Sequence, residues 1–544
     1  MKSITRQAVV SLAVAMIAVT LGVAACGGDG DEGGGSQGAS VDTEALTVAV
    51  AASPDGLDPD NFFSIFMNQA SHSIYDTLGK LKTTTDESGL VVPDLKNPEV
   101  EPNLAESWEL SDDGRTLTVE LRKGVMSPLG NEMTAKDLQY WWDRSWAGAG
   151  EGKFQIETIL GIKKPSWRVL DKYRWEVSLP KFNSVLEYEL AMSKFGIVPD
   201  STEFKKHATD DDPWSLKWAA KNAAGFGPYE LESYRPGQQT VLRRANDYWG
   251  ERPAFGSVIL REVPSGSNRA ALVRNGDVDV AQDVPPRNLS QLENDDAVTV
   301  YSTPGNIVSR LDFNLDTPPF DNQKFREALL HASPVEDIRE NVFFGFASEL
   351  KSPAPATFDA YDDSAWDYEY DLEQARRLLR ESGVQNASFR LSYDNSSDAQ
   401  REAMTILKSA WEELGLEVEL NGQPASSYFN QVTLGKLENF VQENFPINPD
   451  VGYGLGIAWP SDAPFNNTNY NNPKVDRLIY GGLATQDVDQ RLEMYREAQR
   501  EIVGDAAEIW LSMPGYHLVA NPDLEGLNWN MDNAVAWAAV RPSQ

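Results

Sequence analysis

The chain has 544 residues, of which 41% are hydrophobic and 24% are charged, a composition typical of folded globular proteins. Its formal net charge of −34 would repel a phosphate backbone, which excludes a nucleic-acid-binding function. The length exceeds what one hydrophobic core holds, so we expect at least two lobes.

The amino-terminal segment has the three parts of a signal peptide. Lys2 and Arg6 form a basic region, residues 8–19 an apolar region, and residues 23–26, Val-Ala-Ala-Cys, a small-residue cleavage site. This site resembles a bacterial lipobox, which implies that the leader 1–25 is removed and that Cys26 carries the lipid. We therefore expect an extracytoplasmic protein, anchored to the outer face of the cell membrane by acyl chains at its amino terminus.

An alternative for residues 8–25 is an uncleaved transmembrane helix, since about 18 apolar residues can span a bilayer. The next segment, 26–45, favours the lipid anchor, because its Gly-rich and acidic start predicts a flexible tether. Cys26 is the single cysteine, so the sequence excludes a disulfide, a zinc–thiolate site and a cysteine nucleophile.

Strand and helix patterns alternate along the remaining chain. A turn at 111–114 precedes an alternating strand at 116–121, and residues 175–179 alternate in the same way. Thr134 and Asp137 have the spacing of a capping box and predict the start of a helix. The order of these patterns indicates an α/β protein.

Two later helices have clear ends in the sequence. Residues 268–275 read as a helix that stops at a glycine, before a short strand within 276–280. A second helix starts with Asp371 as its N-cap and Gln374 at the third helical position, and it ends at Gly383. Apolar residues between these ends recur at helical spacing and predict a buried face.

The sequence offers little catalytic or metal-binding chemistry. It has four histidines, without the i, i+4 pairing of a zinc helix, and it lacks a phosphate-binding loop. Residues 394–398 start like a calcium loop, but Ala399 replaces the glycine and Thr405 replaces the final glutamate. We therefore expect no metal, no cofactor and no enzyme activity, although a pair of catalytic carboxylates stays open among the 82 acidic residues.

Short segments in a fixed order carry a family resemblance. They include Pro102-Asn103-Leu104-Ala105-Glu106-Ser107-Trp108 with Leu121-Arg122-Lys123-Gly124-Val125, Gly225-Phe226-Gly227-Pro228-Tyr229, Arg244-Ala245-Asn246-Asp247-Tyr248-Trp249, the run 319–329, the helix 370–383, and Asn469-Tyr470-Asn471-Asn472-Pro473. Together they resemble the extracellular solute-binding proteins of ABC importers, specifically the family 5 oligopeptide-binding type. Each segment alone is weak, whereas the ordered set is specific.

The resemblance implies a two-lobe α/β fold of the periplasmic-binding-protein type II, with an extra subdomain in the first lobe. The expected bounds are 46–78, 170–285 and 508–544 for lobe 1, 79–169 for the inserted subdomain, and 286–507 for lobe 2. It also implies a monomer that closes on a small solute and delivers it to a membrane permease driven by a separate ATPase. A surface sensor and a lipid-anchored hydrolase remain as alternatives, because a fold does not settle function.

The same resemblance implies which residues contact the solute. In the first lobe the candidates are Ser53, Asp55, Phe226 and Tyr229. In the second lobe they are Tyr393, Asp394, Asn395, Tyr428, Glu443, Asn444, Phe445 and Trp459.

The segment around Asn444 bears on the solute. Peptide binders of this family carry an aspartate there, in a Trp-x-x-Asp-Tyr pattern, and it pairs with the peptide ammonium. This chain reads Val-Gln-Glu-Asn-Phe at 441–445, so an uncharged amide takes that position. A short peptide is favoured if Glu443 or Asp394 supplies the charge, and an oligosaccharide if Asn444 faces the solute unassisted.

Overall fold

The computed structural model describes residues 44–60, 65–148, 150–192 and 195–543. Cys26, the predicted leader and the predicted tether up to residue 43 lie outside the described residues. The first strand begins at Ala45, the last residue of the predicted tether. Among the described residues we find no helix with the length and apolar character needed to cross a bilayer.

The strands are numbered in chain order. They are β1 Ala45–Val50, β2 Gly79–Leu81, β3 Thr83–Thr85, β4 Val91–Pro93, β5 Val100–Pro102, β6 Ala105–Leu110, β7 Thr116–Leu121, β8 Trp167–Val169, β9 Arg174–Ser178, β10 Tyr229–Arg235, β11 Gln239–Arg244, β12 Ser257–Glu262, β13 Val280–Gln282, β14 Thr299–Thr303, β15 Val308–Phe313, β16 Ala347–Ser348, β17 Ser388–Asp394, β18 Glu417–Gln423, β19 Asn439–Asn444, β20 Glu508–Pro514, β21 Tyr516–Ala520, β22 Leu524–Glu525 and β23 Arg541–Pro542.

The α-helices are numbered in the same way. They are α1 Ile65–Ile74, α2 Ala135–Ala147, α3 Glu151–Phe154, α4 Ser201–Lys206, α5 Leu216–Ala219, α6 Gly266–Arg274, α7 Pro286–Leu292, α8 Gln323–His331, α9 Val335–Asn341, α10 Leu372–Ser382, α11 Asp398–Glu412, α12 Ala425–Thr433, α13 Val451–Ala458, α14 Pro473–Leu483 and α15 Val488–Gly504. A π-helical turn spans Gln155–Ile159, and 3₁₀ turns span Tyr188–Ala191 and Trp537–Ala539.

The first lobe is built on a mixed sheet in the order β10-β11-β12-β1-β13-β21-β14. Its centre is parallel, since β1 pairs with β12 on one side and with β13 on the other. Val48 of β1 lies opposite Leu260 and Val280, and all three side chains are buried. Apolar residues on central strands are expected where both faces of a sheet are covered.

The second lobe contains a four-stranded sheet in the order β16-β20-β15-β19 and a parallel pair, β17 and β18. The pair is tied to the sheet through Asn439, whose side chain donates to Arg390 O at 2.7 Å and accepts from Ser392 N at 3.3 Å. Phe320, Phe389 and other aromatic rings fill the core beneath. The carboxyl ends of β17, β18 and β19 consequently lie along one edge.

A third sheet, β6-β7-β9-β8, forms the inserted subdomain of the first lobe. The predicted strand 116–121 is confirmed as β7, and the strand predicted at 175–179 is β9. Helix α2 packs over this sheet and begins with the predicted capping box, in which Thr134 N donates to Asp137 Oδ2 at 2.8 Å. β9 ends at Ser178, so the sheet extends past the subdomain boundary expected at residue 169.

The ends predicted for the helix after Asp371 also agree with the structure, whereas the helix predicted at 268–275 begins earlier, at Gly266. Asp371 Oδ1 accepts from the backbone N–H groups of Glu373 and Gln374 at 2.9 Å, and Gly383 closes α10 with a φ of 73°. This angle lies in the left-handed region, where glycine carries no steric penalty.

The chain passes between the two lobes twice, at 304–307 and at Gly515. β14 pairs with β21 in the first lobe, although it was expected in lobe 2, and β20 pairs with β15 in the second, although it was expected in lobe 1. The two crossover segments run side by side: a Cβ added to Gly305 would lie 3.2 Å from Pro514 O. Asn306 fixes the first segment by donating to Pro446 O and Met531 O at 2.8 Å each.

Candidate functional site

The topology predicts where a ligand site forms. In open α/β sheets, ligands bind beyond the carboxyl ends of parallel strands. In the first lobe these are the ends of β1, β12 and β13, and in the second lobe the ends of β17 and β18. The two crossovers join the lobes beside these edges, so a solute held there would contact both lobes.

A cavity of about 340 Å³ lies at the crossovers. This volume falls at the small end of the range for ligand pockets, about 300–1,000 Å³. The first lobe and its carboxy-terminal segment contribute Phe66, Gln69, Gln282, Asp283, Val284, Pro285, Pro286, Tyr516, His517 and Asn533. The crossovers and the second lobe contribute Gly305, Ile307, Phe343, Phe346, Pro514 and Gly515.

One wall of the cavity is a network of neutral polar groups. Gln282 Nε2 donates to Gln69 Oε1 at 3.1 Å and to Tyr516 Oη at 3.0 Å, and Gln69 Nε2 donates to Asn533 O at 2.9 Å. Burial raises the pKa of Tyr516 well above its usual value, so its hydroxyl stays neutral. The amide of Gln69 is hydrogen-bonded through both its oxygen and its nitrogen, and the amide of Gln282 through its nitrogen, so these bonds orient both side chains.

The loop after β13 is held by a buried arginine. Arg269 Nε donates to Gln282 O at 2.8 Å, and Nη1 donates to Val263 O at 2.7 Å and to Pro264 O at 3.0 Å. Nη2 donates to Asp283 O. The guanidinium thus joins the ends of β12 and β13, and its charge rests among carbonyl dipoles instead of a carboxylate.

Two contacts join the lobes at the cavity. His517 Nε2 lies 3.1 Å from Phe346 O, while Nδ1 lies 2.9 Å from Ser302 Oγ. Burial lowers the pKa of His517 to about 4, so the ring is neutral and the carbonyl assigns its proton to Nε2. The guanidinium of Arg287 lies 5.6 Å from the centre of the Phe344 ring, across the same gap.

Two further hydrogen bonds between the lobes lie farther from the crossovers. Asn448 Nδ2 donates to Glu189 Oε1 at 3.0 Å, and Gln155 Nε2 donates to Tyr453 Oη at 2.9 Å. Glu189 is 1% exposed, and its burial raises the pKa of the carboxyl to about 8. The carboxyl is therefore protonated at neutral pH.

Comparison with known proteins identifies the family. Residues 99–466 match the model of the bacterial extracellular solute-binding proteins, family 5. The chain belongs to this family. The resemblance predicted from the ordered segments and the two-lobe α/β fold are both confirmed.

Relatives of the family 5 chain include two proteins of Escherichia coli (strain K12). A probable D,D-dipeptide-binding periplasmic protein is 26% identical over 496 residues, which cover 90% of this chain and 93% of that protein. A dipeptide-binding protein is 25% identical over 500 residues, with 85% and 88% covered. A heme-binding protein of Haemophilus influenzae is 24% identical over 529 residues, with 89% and 90% covered.

Solved structures share the family 5 fold. A periplasmic binding protein from Helicobacter pylori in complex with the peptide STSA has a TM-score of 0.77 at 24% identity, covering 92% of this chain and 98% of that one. A substrate-binding protein from Listeria monocytogenes has a TM-score of 0.80 at 21% identity, covering 93% and 100%.

The solute contacts expected in the first lobe divide into two groups. Ser53 and Asp55 follow β1 at the expected edge, where Ser53 N donates to Glu262 Oε2 at 2.8 Å and Asp55 is exposed. Phe226 and Tyr229 are each 1% exposed and belong to the core of the lobe. Both rings pack inside the lobe, where the glycines of this segment bring its backbone against α1.

Most of the contacts expected at the end of β17 and beyond it have structural roles. Tyr393 and Tyr428 are buried, and Tyr428 Oη donates to Val441 O at 2.7 Å. Asp394 Oδ1 accepts from Ser396 N at 2.9 Å, while Asn395 N donates to Gln423 O at the same distance. The loop is thus closed by its own hydrogen bonds, at the carboxyl edge of the parallel pair.

Glu443 and Asn444 point to opposite faces of β19, as successive strand residues do. Glu443 lies opposite Ser309 and is accessible to water, yet it has enough protein around it for desolvation to raise its pKa, with Asp394 adding repulsion. Asn444 lies 3.2 Å from Arg310 Nη1 and accepts from it when its oxygen is turned that way. Phe445, next along the chain, is half-buried.

Trp459 directly follows α13, and its side chain is 2% exposed. Its ring lies 4.8 Å from the guanidinium of Arg310. Its Nε1 donates to Glu508 Oε1 at 3.0 Å. The indole covers a buried charge pair and contributes to the second lobe, not to the cavity.

Sequence reasoning missed the cavity residues themselves. Gln69, Gln282 and Tyr516 carry no motif: Gln282 and Tyr516 meet because β13 and β21 are neighbours in the sheet, and Gln69 reaches them from α1. Asp283 had one usable signal, since it stands between the strand 280–282 and the pair Pro285-Pro286. Within the described ranges, we find no group of His, Cys, Asp or Glu side chains arranged to hold a metal ion.

Proposed function

We propose that the protein is the lipid-anchored, extracytoplasmic solute-binding component of an ABC importer and that it captures short peptides. The observation that carries this proposal is a cavity lined by both lobes and by both crossovers. Support for peptides comes from the relatives, among which are dipeptide-binding and glutathione-binding proteins. The lipobox-like residues 23–26 support the anchor.

Capture follows from the position of the cavity. A solute that touches both lobes makes its full set of contacts only when the lobes are together, so it shifts the population towards the closed form. The polar contacts of Asn448 with Glu189 and of His517 with Phe346 join the two lobes and would stabilise that form. The closed shape is the signal that a membrane permease would read, and a separate ATPase would supply the energy.

The volume of the cavity favours a small solute, on the scale of a dipeptide. Apolar side chains, among them Phe343, Phe346 and Ile307, would cover the solute's carbon atoms. The proposed lobe bounds follow the strand pairing: the chain enters the second lobe at 304–307 and leaves it at Gly515.

An oligosaccharide is the second candidate, because the neutral wall of Gln69, Gln282 and Tyr516 could hydrogen-bond hydroxyls. Thermal unfolding of the mature chain with Cys26→Ser separates the two. Di- to pentapeptides and α- and β-linked oligosaccharides are added in turn, and a solute at one thousand times its dissociation constant stabilises the native state by about 4 kcal/mol. We expect peptides to raise the melting temperature. A response to sugars alone would refute the peptide proposal.

A further inference from the structure

The cavity between the lobes has an unbalanced charge. Among its lining residues, Asp283 has the single acidic side chain, His517 is neutral, and the others do not ionise near neutral pH. The side chain of Asp283 is exposed to the cavity, although the protein around it desolvates the carboxylate and raises its pKa. A carboxylate in such surroundings attracts a cation.

The side-chain oxygens of Asp283 are also available to a solute. No described group donates a hydrogen bond to the carboxylate of Asp283. The nearby cation Arg269 instead donates to four backbone carbonyls. The guanidinium therefore orients the loop without neutralising the side chain by direct contact. A solute ammonium would supply the missing donors.

The backbone at Asp283 is held in an uncommon conformation. Its φ is 50°, in the left-handed region that few residues other than glycine occupy, and Phe344 on the other side of the gap has a φ of 52°. Such conformations cost free energy and persist where the surroundings impose them, often at ligand sites. Arg269 supplies that constraint here through its bond to Asp283 O.

We infer that Asp283 is the specificity-determining residue of the cavity and that it pairs with an ammonium group of the solute. The inference rests on the proposed capture of a solute in this cavity and names its class: an amine-bearing molecule with an apolar part. The apolar part would lie against Phe343, Phe346 and Val284, which line the same space. The charge for the ammonium then comes from the first lobe, since Asp283 follows β13.

Asp283→Asn is the test variant, because asparagine has the same shape and also tolerates the left-handed region, so the fold is retained while the charge is lost. Asp277→Asn is the matched control: Asp277 is exposed and precedes the same strand, β13, at its opposite end. Calorimetric titration at pH 7.5 compares the variants and the mature chain with three probe sets: dipeptides, the same dipeptides with acetylated amino termini, and simple mono- and diamines.

We expect Asp283→Asn to weaken binding of unmodified dipeptides at least about 30-fold, the loss typical of removing one partner of a desolvated charge pair. N-acetylation should weaken binding to the unmodified chain similarly, and Asp277→Asn should bind normally. Dipeptide binding that is unchanged in Asp283→Asn would overturn the inference and leave the proposed function standing. Binding of amines alone, lost in Asp283→Asn, would support the inference and refute the peptide proposal. A chain that binds no member of the three sets would refute both.

Discussion

Replacement of Glu189 by glutamine tests the buried contact between the lobes. Glu189 Oε1 accepts from Asn448 Nδ2 at 3.0 Å, and Oε2 has no hydrogen-bond partner among the described residues. Burial raises the pKa of this carboxyl from 4.5 to about 8, so the contact is made by a neutral acid at pH 7. Glutamine copies the shape of the neutral acid and cannot ionise.

The sign of the effect follows from proton linkage. In the unfolded chain Glu189 loses its proton near pH 4.5, whereas the native chain keeps it up to about pH 8. The native state therefore binds more protons across this window, and the stabilisation present below pH 4.5 is lost as the pH rises towards 8. At 1.36 kcal/mol per pKa unit, the full difference is up to about 5 kcal/mol.

Denaturant unfolding at pH 5, 6.5, 8 and 9 measures this difference. We expect Glu189→Gln to match the mature chain at pH 5 within about 1 kcal/mol and to become the more stable protein as the pH rises, by up to about 5 kcal/mol. Glu187→Gln is the control, because Glu187 is exposed two residues away. Identical pH dependence in Glu189→Gln and in the mature chain would refute the assignment of a proton to Glu189.

Three further predictions use the same chain. Burial lowers the pKa of His517 to about 4, so below pH 6.5 the unfolded chain binds a proton that the native chain does not bind. As the pH falls from 6.5 to 4, the free energy of unfolding of the mature chain should therefore fall by up to about 3 kcal/mol relative to that of His517→Gln. Unfolding measured along an acid titration would show this difference. Arg310→Met leaves Asp312 and Glu508 buried without their cation and should cost about 3–5 kcal/mol in denaturant unfolding; a loss under about 1 kcal/mol would contradict this. Asn448→Ala removes the hydrogen-bond donor to Glu189 and should weaken solute binding about 5- to 10-fold in calorimetry. An unchanged affinity would show that this contact does not stabilise the closed form.

Features set by neighbours in the sequence could be predicted. The capping box of Thr134 and Asp137 and the helix from Asp371 to Gly383 depend on residues a few positions apart, and the structure shows both. The strand at 116–121 depends on alternation alone. The family could be predicted for a related reason, because its ordered segments leave a pattern along the chain even where each one is weak.

Features set by contacts between distant strands could not be predicted. Trp459 stands between Ala458 and Pro460 and reads as a loop residue, but its burial depends on Arg310, which reaches it from β15. The lobe boundaries depend on the partners of β14 and β20, and both partners are remote in sequence. Asp283 depends in turn on a left-handed backbone that Arg269 imposes from α6.

The amide at position 444 has a physical reason in the second lobe. Arg310 lies 2.7 Å from Asp312 and 3.4 Å from Glu508, and burial raises the pKa of both carboxyls, so one guanidinium already serves two acids. A carboxylate at 444 would be a third acid beside the same cation and would compete for it instead of remaining free for a solute. An uncharged Asn444 avoids that competition. With Arg310, Asp312 and Glu508 buried together, a carboxylate that pairs with a solute ammonium is better placed away from position 444. The accessible carboxylate of Asp283, after β13, stands at such a place.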